Sequence, residues 1–239
     1  MIIVFSGIDC AGKSTQINLL KNKITDQGII VSCIWSRGGY TPGFEFIKKI
    51  LRSILGKKSI PSGKGGKRDK VMSNTLVSNL WLMVAMFDLL ILYAVIIRVN
   101  SFLGNVVICD RYLGDTFIDF SLNFPSSNFE KMWLWKLLVT ISPKPDIGFL
   151  FTLPVEESIY RSKLKNEPFP DSKEVLVRRL EIYTASKLFN DSNWVKIDGF
   201  NTISATAGII KIKPFPFSVV PMHLDEFIFP SNKYHKIGC

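Results

Sequence analysis

Apolar residues along this chain fall into two alternating kinds of run. Short continuous runs at 2–5, 29–35, 106–109 and 147–153, with "NWVKIDGF" near the end, have the length of buried strands. Between them the apolar positions recur at helical spacing, first at Ile17, Leu19, Leu20 and Ile24, then over 44–55. "PVEESIYRSKLKNEPFPDSKEVLVRRLEIYTAS" predicts a helix, a basic polar break and a second helix, and 203–212 a final helix or strand. Strands alternating with helices imply an α/β protein with a central parallel sheet covered on both faces. Ligands are then expected at the carboxyl ends of the strands. One domain over 1–213 is expected. The rest, 214–239, carries Pro214, Pro216, Pro221 and Pro230 without a period and is expected to be an irregular tail.

One run is longer than the others. "LVSNLWLMVAMFDLLILYAVII" (76–97) is long enough to cross a bilayer. Asp88 sits near its centre, where a charge costs about 2.5–3.5 kcal/mol on insertion scales, and Ser78 and Asn79 weaken a membrane reading further. A doubly buried helix, packed on the sheet or on a partner subunit, is the expectation.

The first strand runs straight into "GIDCAGKS" (7–14), which fits the phosphate-binding pattern GxxxxGK[ST]. Glycines let the backbone turn tightly and approach a polyphosphate without Cβ clashes. The N–H groups of the loop and of the helix start then face the anion. In such a loop Lys13 reaches the terminal phosphates and the Ser14 hydroxyl ligates Mg²⁺. Gly7, Ile8, Asp9, Cys10, Ala11, Gly12, Lys13, Ser14 and Thr15 are therefore the expected ATP-binding segment.

Composition narrows the chemistry. The 239 residues are 47% hydrophobic, enough for a sizeable core. With the first predicted strand starting at residue 2, no cleavable signal is expected. Of the four cysteines (10, 33, 109, 239), Cys33 and Cys109 lie in apolar runs and are expected as buried thiols, in keeping with a reducing cytoplasm. The two histidines, His223 and His235, both fall in the tail, which argues against His-based zinc or triad chemistry. The net charge of +10 suits anionic partners, with a local excess in "GKKSIPSGKGGKRDK" (56–70). That loop has no interleaved aromatics to stack bases, so nucleic acid is not the expected partner.

A second site is expected at Asp110-Arg111-Tyr112, where another predicted strand ends on the same sheet edge as the loop. The aspartate can hold the Mg²⁺ water shell, and the arginine can clamp a second phosphate bidentately. Arg37, ending a strand in "SRGGYTPG", would converge there. The plainer alternative for Asp110-Arg111 is a capped turn with an ion pair.

"FSGIDCAGKSTQINLL", "SRGGYTPG", "VVICDRY" and "LPVEESIYRSKLK" resemble, in order and spacing, the thymidylate kinases among the P-loop nucleoside monophosphate kinases, over residues 1–210. The resemblance implies a three-layer P-loop fold and transfer of the ATP γ-phosphoryl group to a nucleoside monophosphate, by default dTMP, within a cytoplasmic homodimer. Lys13, Asp9, Asp110 and Arg111 would be catalytic. Ser14 and Asp110 would position Mg²⁺. Arg111, Arg37, Asp9, Tyr112 and Asp115 would face the acceptor. Arg161, Lys163 and Lys165 would belong to a lid at about 158–173 that closes over the triphosphate. The likeness departs at the base pocket. The family has an arginine after the aspartate of the long helix, where this chain has Leu89, and small hydroxyls where it has "LGDTFIDF", with Asp115, Thr116, Asp119 and Phe120. Two further readings stay open: a P-loop kinase of another small acceptor, and a non-catalytic nucleotide-binding or membrane-associated partner protein.

Overall fold

The computed structural model describes residues 1–36, 75–167 and 170–210. Arg37, the helical spacing at 44–55, the basic loop 56–70 and the tail 214–239 lie outside the described residues. In chain order the elements are β1 (Ile2–Gly7), α1 (Lys13–Thr25), β2 (Val31–Trp35), α2 (Thr75–Leu90), a π-helical stretch (Ile91–Ile97), α3 (Arg98–Phe102), β3 (Val106–Asp110), α4 (Leu113–Asn123), α5 (Trp133–Ile141), β4 (Ile147–Thr152), α6 (Val155–Leu164), α7 (Lys173–Ala185), β5 (Trp194–Asp198) and α8 (Ile203–Ile209). Short 3₁₀ turns precede α5 and follow α7.

The sheet order is β2-β3-β1-β4-β5. β1 pairs in parallel with β3 on one side and β4 on the other, and β4 with β5. This is the expected parallel α/β sheet. All six residues of β1 are buried, as are most of β3 and β4, whereas β2 and β5 at the edges are partly exposed. Three of the continuously apolar runs are central strands, which need apolar side chains on both faces, while the run at 29–35 forms the edge strand β2. Cys33 corrects one expectation: it sits on the edge strand β2 and is exposed, while Cys109 on β3 is buried.

The chain forms two compact units. Of the described residues, the first comprises 1–34, 100–110, 145–167 and 170–210. Its core joins Ile3, Phe5, Ile17, Leu20, Ile108, Phe149 and Phe151 with Leu176 of α7. The helix ends follow ordinary capping chemistry. α6 has Glu156 and Glu157 in its first turn and Arg161 and Lys163 in its last, matching the helix dipole. α7 starts at Ser172, whose Oγ accepts from the Val175 N–H at 3.4 Å.

Of the described residues, the second unit comprises 35–36, 75–99 and 111–144. α4 and α5 enclose an aromatic cluster of Phe117, Phe120, Phe129 and Trp135, with ring centroids 5.1–6.1 Å apart. The long apolar run is helical, as expected, but only one face is covered. Leu82, Met86, Leu89, Tyr93 and Ile97 are fully buried, and Asp88 shares their side at 9% exposure. Leu80, Met83, Phe87, Ile91, Val95 and Val99 are exposed at four-residue intervals after the first. Among the described residues one helix, Val77–Phe102, is long and apolar enough to cross a membrane, with a third of its most apolar window buried.

Candidate functional site

The glycine-rich loop lies where β1 gives way to α1, at the carboxyl edge of the sheet. Its backbone requires the residues the sequence supplies. Gly7 has φ +128° and lies against β4, where a Cβ would meet the Phe151 carbonyl oxygen at 2.0 Å. The Ile8 N–H donates to that same oxygen at 3.2 Å, tying the loop to the strand. Gly12 has φ +93° and caps α1. Cys10, at φ +59°, takes a left-handed conformation that a non-glycine residue enters at a cost of about 1–2 kcal/mol.

Lys13 opens α1, and its ammonium curls over the loop. Nζ donates to the Gly7 carbonyl at 2.9 Å and to the Ile8 carbonyl at 2.6 Å, and the residue is buried. A positive charge thus stands at the start of a helix beside a glycine turn, a combination that suits a polyphosphate. Ser14 follows on α1. The register pairs Phe5 with Asp110, so the β3 carboxylate stands one strand away from the loop. Ser14 and Asp110 are hard oxygen donors, few in number. That is the donor set Mg²⁺ takes when phosphates and water complete its shell. Among the described residues no group of three or more His, Cys, Asp or Glu forms a metal cluster.

α6 and the turn after it pack on the other side of the loop. Ser158 Oγ donates to the Asp9 carbonyl at 2.9 Å. Glu167 bridges: Oε1 accepts from Cys10 Sγ at 3.3 Å and Oε2 from Ser162 Oγ at 3.1 Å. Burial, then the Glu167 carboxylate, push the Cys10 thiol up to about 12 from its ordinary value of 9.0. A cavity of about 540 Å³ opens here, lined by Asp9, Ser162, Lys163, Glu167, Asp171 and Lys173 among others.

The three basic residues expected in a lid go to different places. Lys163 lines that cavity, and Lys165 is exposed just past α6. Arg161 turns toward the sheet edge. Its Nε pairs with Glu157 at 2.7 Å, one terminal nitrogen donates to the Gly199 carbonyl at 3.0 Å, and the guanidinium lies 5.9 Å from the Phe200 ring centroid. Arg161 thereby walls a pocket of about 80 Å³ with Gly12, Thr15, Gln16 and Asn201.

In the second unit Arg111 is buried and has φ +73°. Its guanidinium lies 3.5 Å from Asp115 Oδ1, and Asp115 Oδ2 accepts from the Tyr112 N–H at 3.0 Å. Tyr112 donates its hydroxyl to the Pro143 carbonyl at 2.9 Å. Leu89 is fully buried and belongs to the core. Sequence reasoning missed three groups: Ser158, Glu167, and a buried hydroxyl chain of Ser36, Tyr93 and Thr116. The signal for Glu167 was that it is one of two acids, with Asp171, in a break whose other charges are basic. For Tyr93 it was a phenol inside an apolar run.

No protein-family model matches the chain. It is similar to a "Thymidylate kinase" of Prochlorococcus marinus, 29% identical over 212 residues, 84% of this chain and 89% of that one. A "Probable thymidylate kinase" of Methanocaldococcus jannaschii is 29% identical over 198 residues, covering 83% and 86%. A "Probable thymidylate kinase" of Pyrococcus horikoshii is 30% identical over 164 residues, covering 68% and 70%.

Proposed function

The chain belongs to the thymidylate kinase family, and from that premise we propose that it transfers the γ-phosphoryl group of ATP to dTMP. A phosphate oxygen of the acceptor attacks the γ-phosphorus, the bond to the β–γ bridging oxygen breaks, and dTDP and ADP leave. The attacking oxygen is already ionised at neutral pH, so no side-chain base is needed. Catalysis reduces to alignment and charge neutralisation. The observation that carries this reading is the loop itself: Lys13 Nζ curled onto the Gly7 and Ile8 carbonyls, beside the Asp110 strand end.

The loop from Gly7 to Thr15 is proposed to hold the donor phosphates, with Lys13 moving from those carbonyls onto the β/γ oxygens. The pocket walled by Arg161, Gly12 and Thr15 would take the donor's nucleoside end. Ser14 and Asp110 fit Mg²⁺, which when bound neutralises the triphosphate charge. Asp9, Lys163 and Lys165 would face the reacting groups from the loop and from a lid at about 158–173. Arg111 would clamp the acceptor phosphate, with Arg37 assisting. Asp115 would act by holding Arg111 and Tyr112 in place. Within this reading 1–213 is one catalytic domain, 214–239 a tail, and the enzyme cytoplasmic.

A homodimer is part of the same proposal. The exposed stripe from Leu80 to Val99 carries no charge, and a face of that extent needs cover. Light scattering should give twice the chain mass without detergent, and a monodisperse monomer would remove this part.

One observation favours a second reading, a kinase of a different pyrimidine monophosphate. With Leu89 buried in the core, its position offers no polar contact to a base edge. ADP release measured against dTMP, dUMP, UMP, CMP and AMP at equal concentration separates the two. The first reading expects dTMP to lead by about tenfold rather than a thousandfold. ATP binding without turnover on any monophosphate would sink both.

A further inference from the structure

The second unit contains a buried chain of hydroxyls that ends on Arg111. Tyr93 is fully buried, with its hydroxyl 2.8 Å from Ser36 Oγ and 3.1 Å from Thr116 Oγ1. Ser36 Oγ in turn donates to the Arg111 carbonyl at 3.1 Å. Each hydroxyl has one proton to give. Ser36 spends its proton on Arg111, so Tyr93 must donate to Ser36, and Thr116 must donate to Tyr93. The order is Thr116 to Tyr93 to Ser36 to the Arg111 carbonyl, and it runs one way.

The recipient needs holding. Arg111 sits at φ +73°, in the left-handed region that favours glycine, and its guanidinium lies 3.5 Å from Asp115 Oδ1. The Tyr93 ring also packs on Tyr112, the next residue, with centroids 4.5 Å apart. Tyr93 therefore supports the Arg111 turn at its carbonyl and at its flank.

Tyr93 reaches this position because its helix changes form. It lies in the π-helical stretch Ile91–Ile97. Leu89, Tyr93 and Ile97 follow one another at four-residue steps and are all fully buried. With about 3.6 residues per turn an α-helix would carry such a series progressively off one face. The wider π turn brings it back.

We propose that Tyr93 is a positioning residue: through Ser36 it fixes the Arg111 backbone, and so sets how tightly the acceptor monophosphate is held. This rests on the reading that Arg111 clamps the acceptor phosphate. It adds a determinant of acceptor affinity that makes no contact with the acceptor itself.

The test is steady-state kinetics of Tyr93→Phe with ATP and dTMP, which keeps the ring and deletes the hydroxyl. KM for the acceptor should rise about tenfold, the effect of losing one buried hydrogen bond. KM for ATP should stay within twofold, and so should kcat. Ser36→Ala should give the same split, and Thr116→Val a smaller one. Should Tyr93→Phe fail to fold, the Ser36 and Thr116 variants carry the test. A merely structural tyrosine would lower the melting temperature and the active fraction, reducing kcat with both KM values unchanged, and that result overturns the proposal. Wild-type turnover on dTMP with unaltered variant KM defeats this inference alone. A wild type inert on every monophosphate defeats the reading beneath it as well.

Discussion

The glycine-rich loop and the Arg111 turn each hold a cation, proposed above to meet phosphate, in a backbone that leaves the ordinary φ range, and they do so by opposite means. In the loop two glycines take most of the unusual geometry, and the carbonyls that hold Lys13 belong to Gly7 and Ile8, six and five residues away. Those two contacts to the ammonium are local. In the Arg111 turn a non-glycine residue takes the geometry, and its supports come from Ser36, Tyr93 and Asp115. Ser36 is 75 positions from Arg111 in the chain. A site built from neighbours survives as a motif. A site built from distant residues can be refitted one contact at a time.

The comparison can be broken most severely at Lys13. Lys13→Ala removes the loop's ammonium while the glycines and helix remain. Turnover should fall by at least about 10²–10³-fold, the scale set by losing one preorganised group at developing charge, with the circular dichroism spectrum unchanged. Near-normal turnover would mean that the loop does not act on the donor phosphates.

Arg111 comes next. Arg111→Ala should weaken the acceptor by about 2–4 kcal/mol, or 30- to 1,000-fold in acceptor KM, and leave ATP nearly untouched. Equal losses for both ligands would show that the two regions are not specialised as described. Arg111→Lys should recover only part of the affinity, since an ammonium cannot match a guanidinium fork.

The smallest effect concerns Cys10. With its thiol pushed up to about 12 by burial and by Glu167, it should alkylate slowly at pH 8. Removing the carboxylate in Glu167→Ala should speed labelling several-fold, as read by mass spectrometry; unchanged labelling would mean Glu167 does not guard the thiol. The sign for stability follows from linkage. The folded chain keeps this proton to higher pH than the unfolded chain does. The contribution is therefore intact below 9.0 and is lost as pH climbs toward about 12.

The difference between the regions also explains what the sequence alone could reveal. The sheet was legible because central parallel strands are apolar on both faces, which marks β1, β3 and β4 as uninterrupted runs. The edge strand β2 shares that apolar composition although one side of it faces solvent, so Cys33 looked buried when it is exposed. The loop was legible because its chemistry is contiguous. α4 and α5 were not read, since aromatic residues such as Phe120 and Trp135 meet through packing that no short spacing announces. The basic residues after β4 looked like one group. Yet Arg161 and Lys163, two positions apart on α6, point to different cavities because the helix rotates by about 100° per residue.

A π turn holds one residue more than an α turn closing the same span. In an ordinary helix, deleting a residue swings everything downstream through about 100°. Between Ala94 and Ile97 the chain can instead give up its extra residue and relax to α geometry, so that β3 still enters the sheet beside β1 with Phe5 opposite Asp110. A chain lacking Val95 should therefore fold, and one lacking Ala85, in the α-helical part, should not; equal solubility of the two would contradict this. The long helix is the place where this molecule can change length by a single residue and keep its parallel sheet in phase.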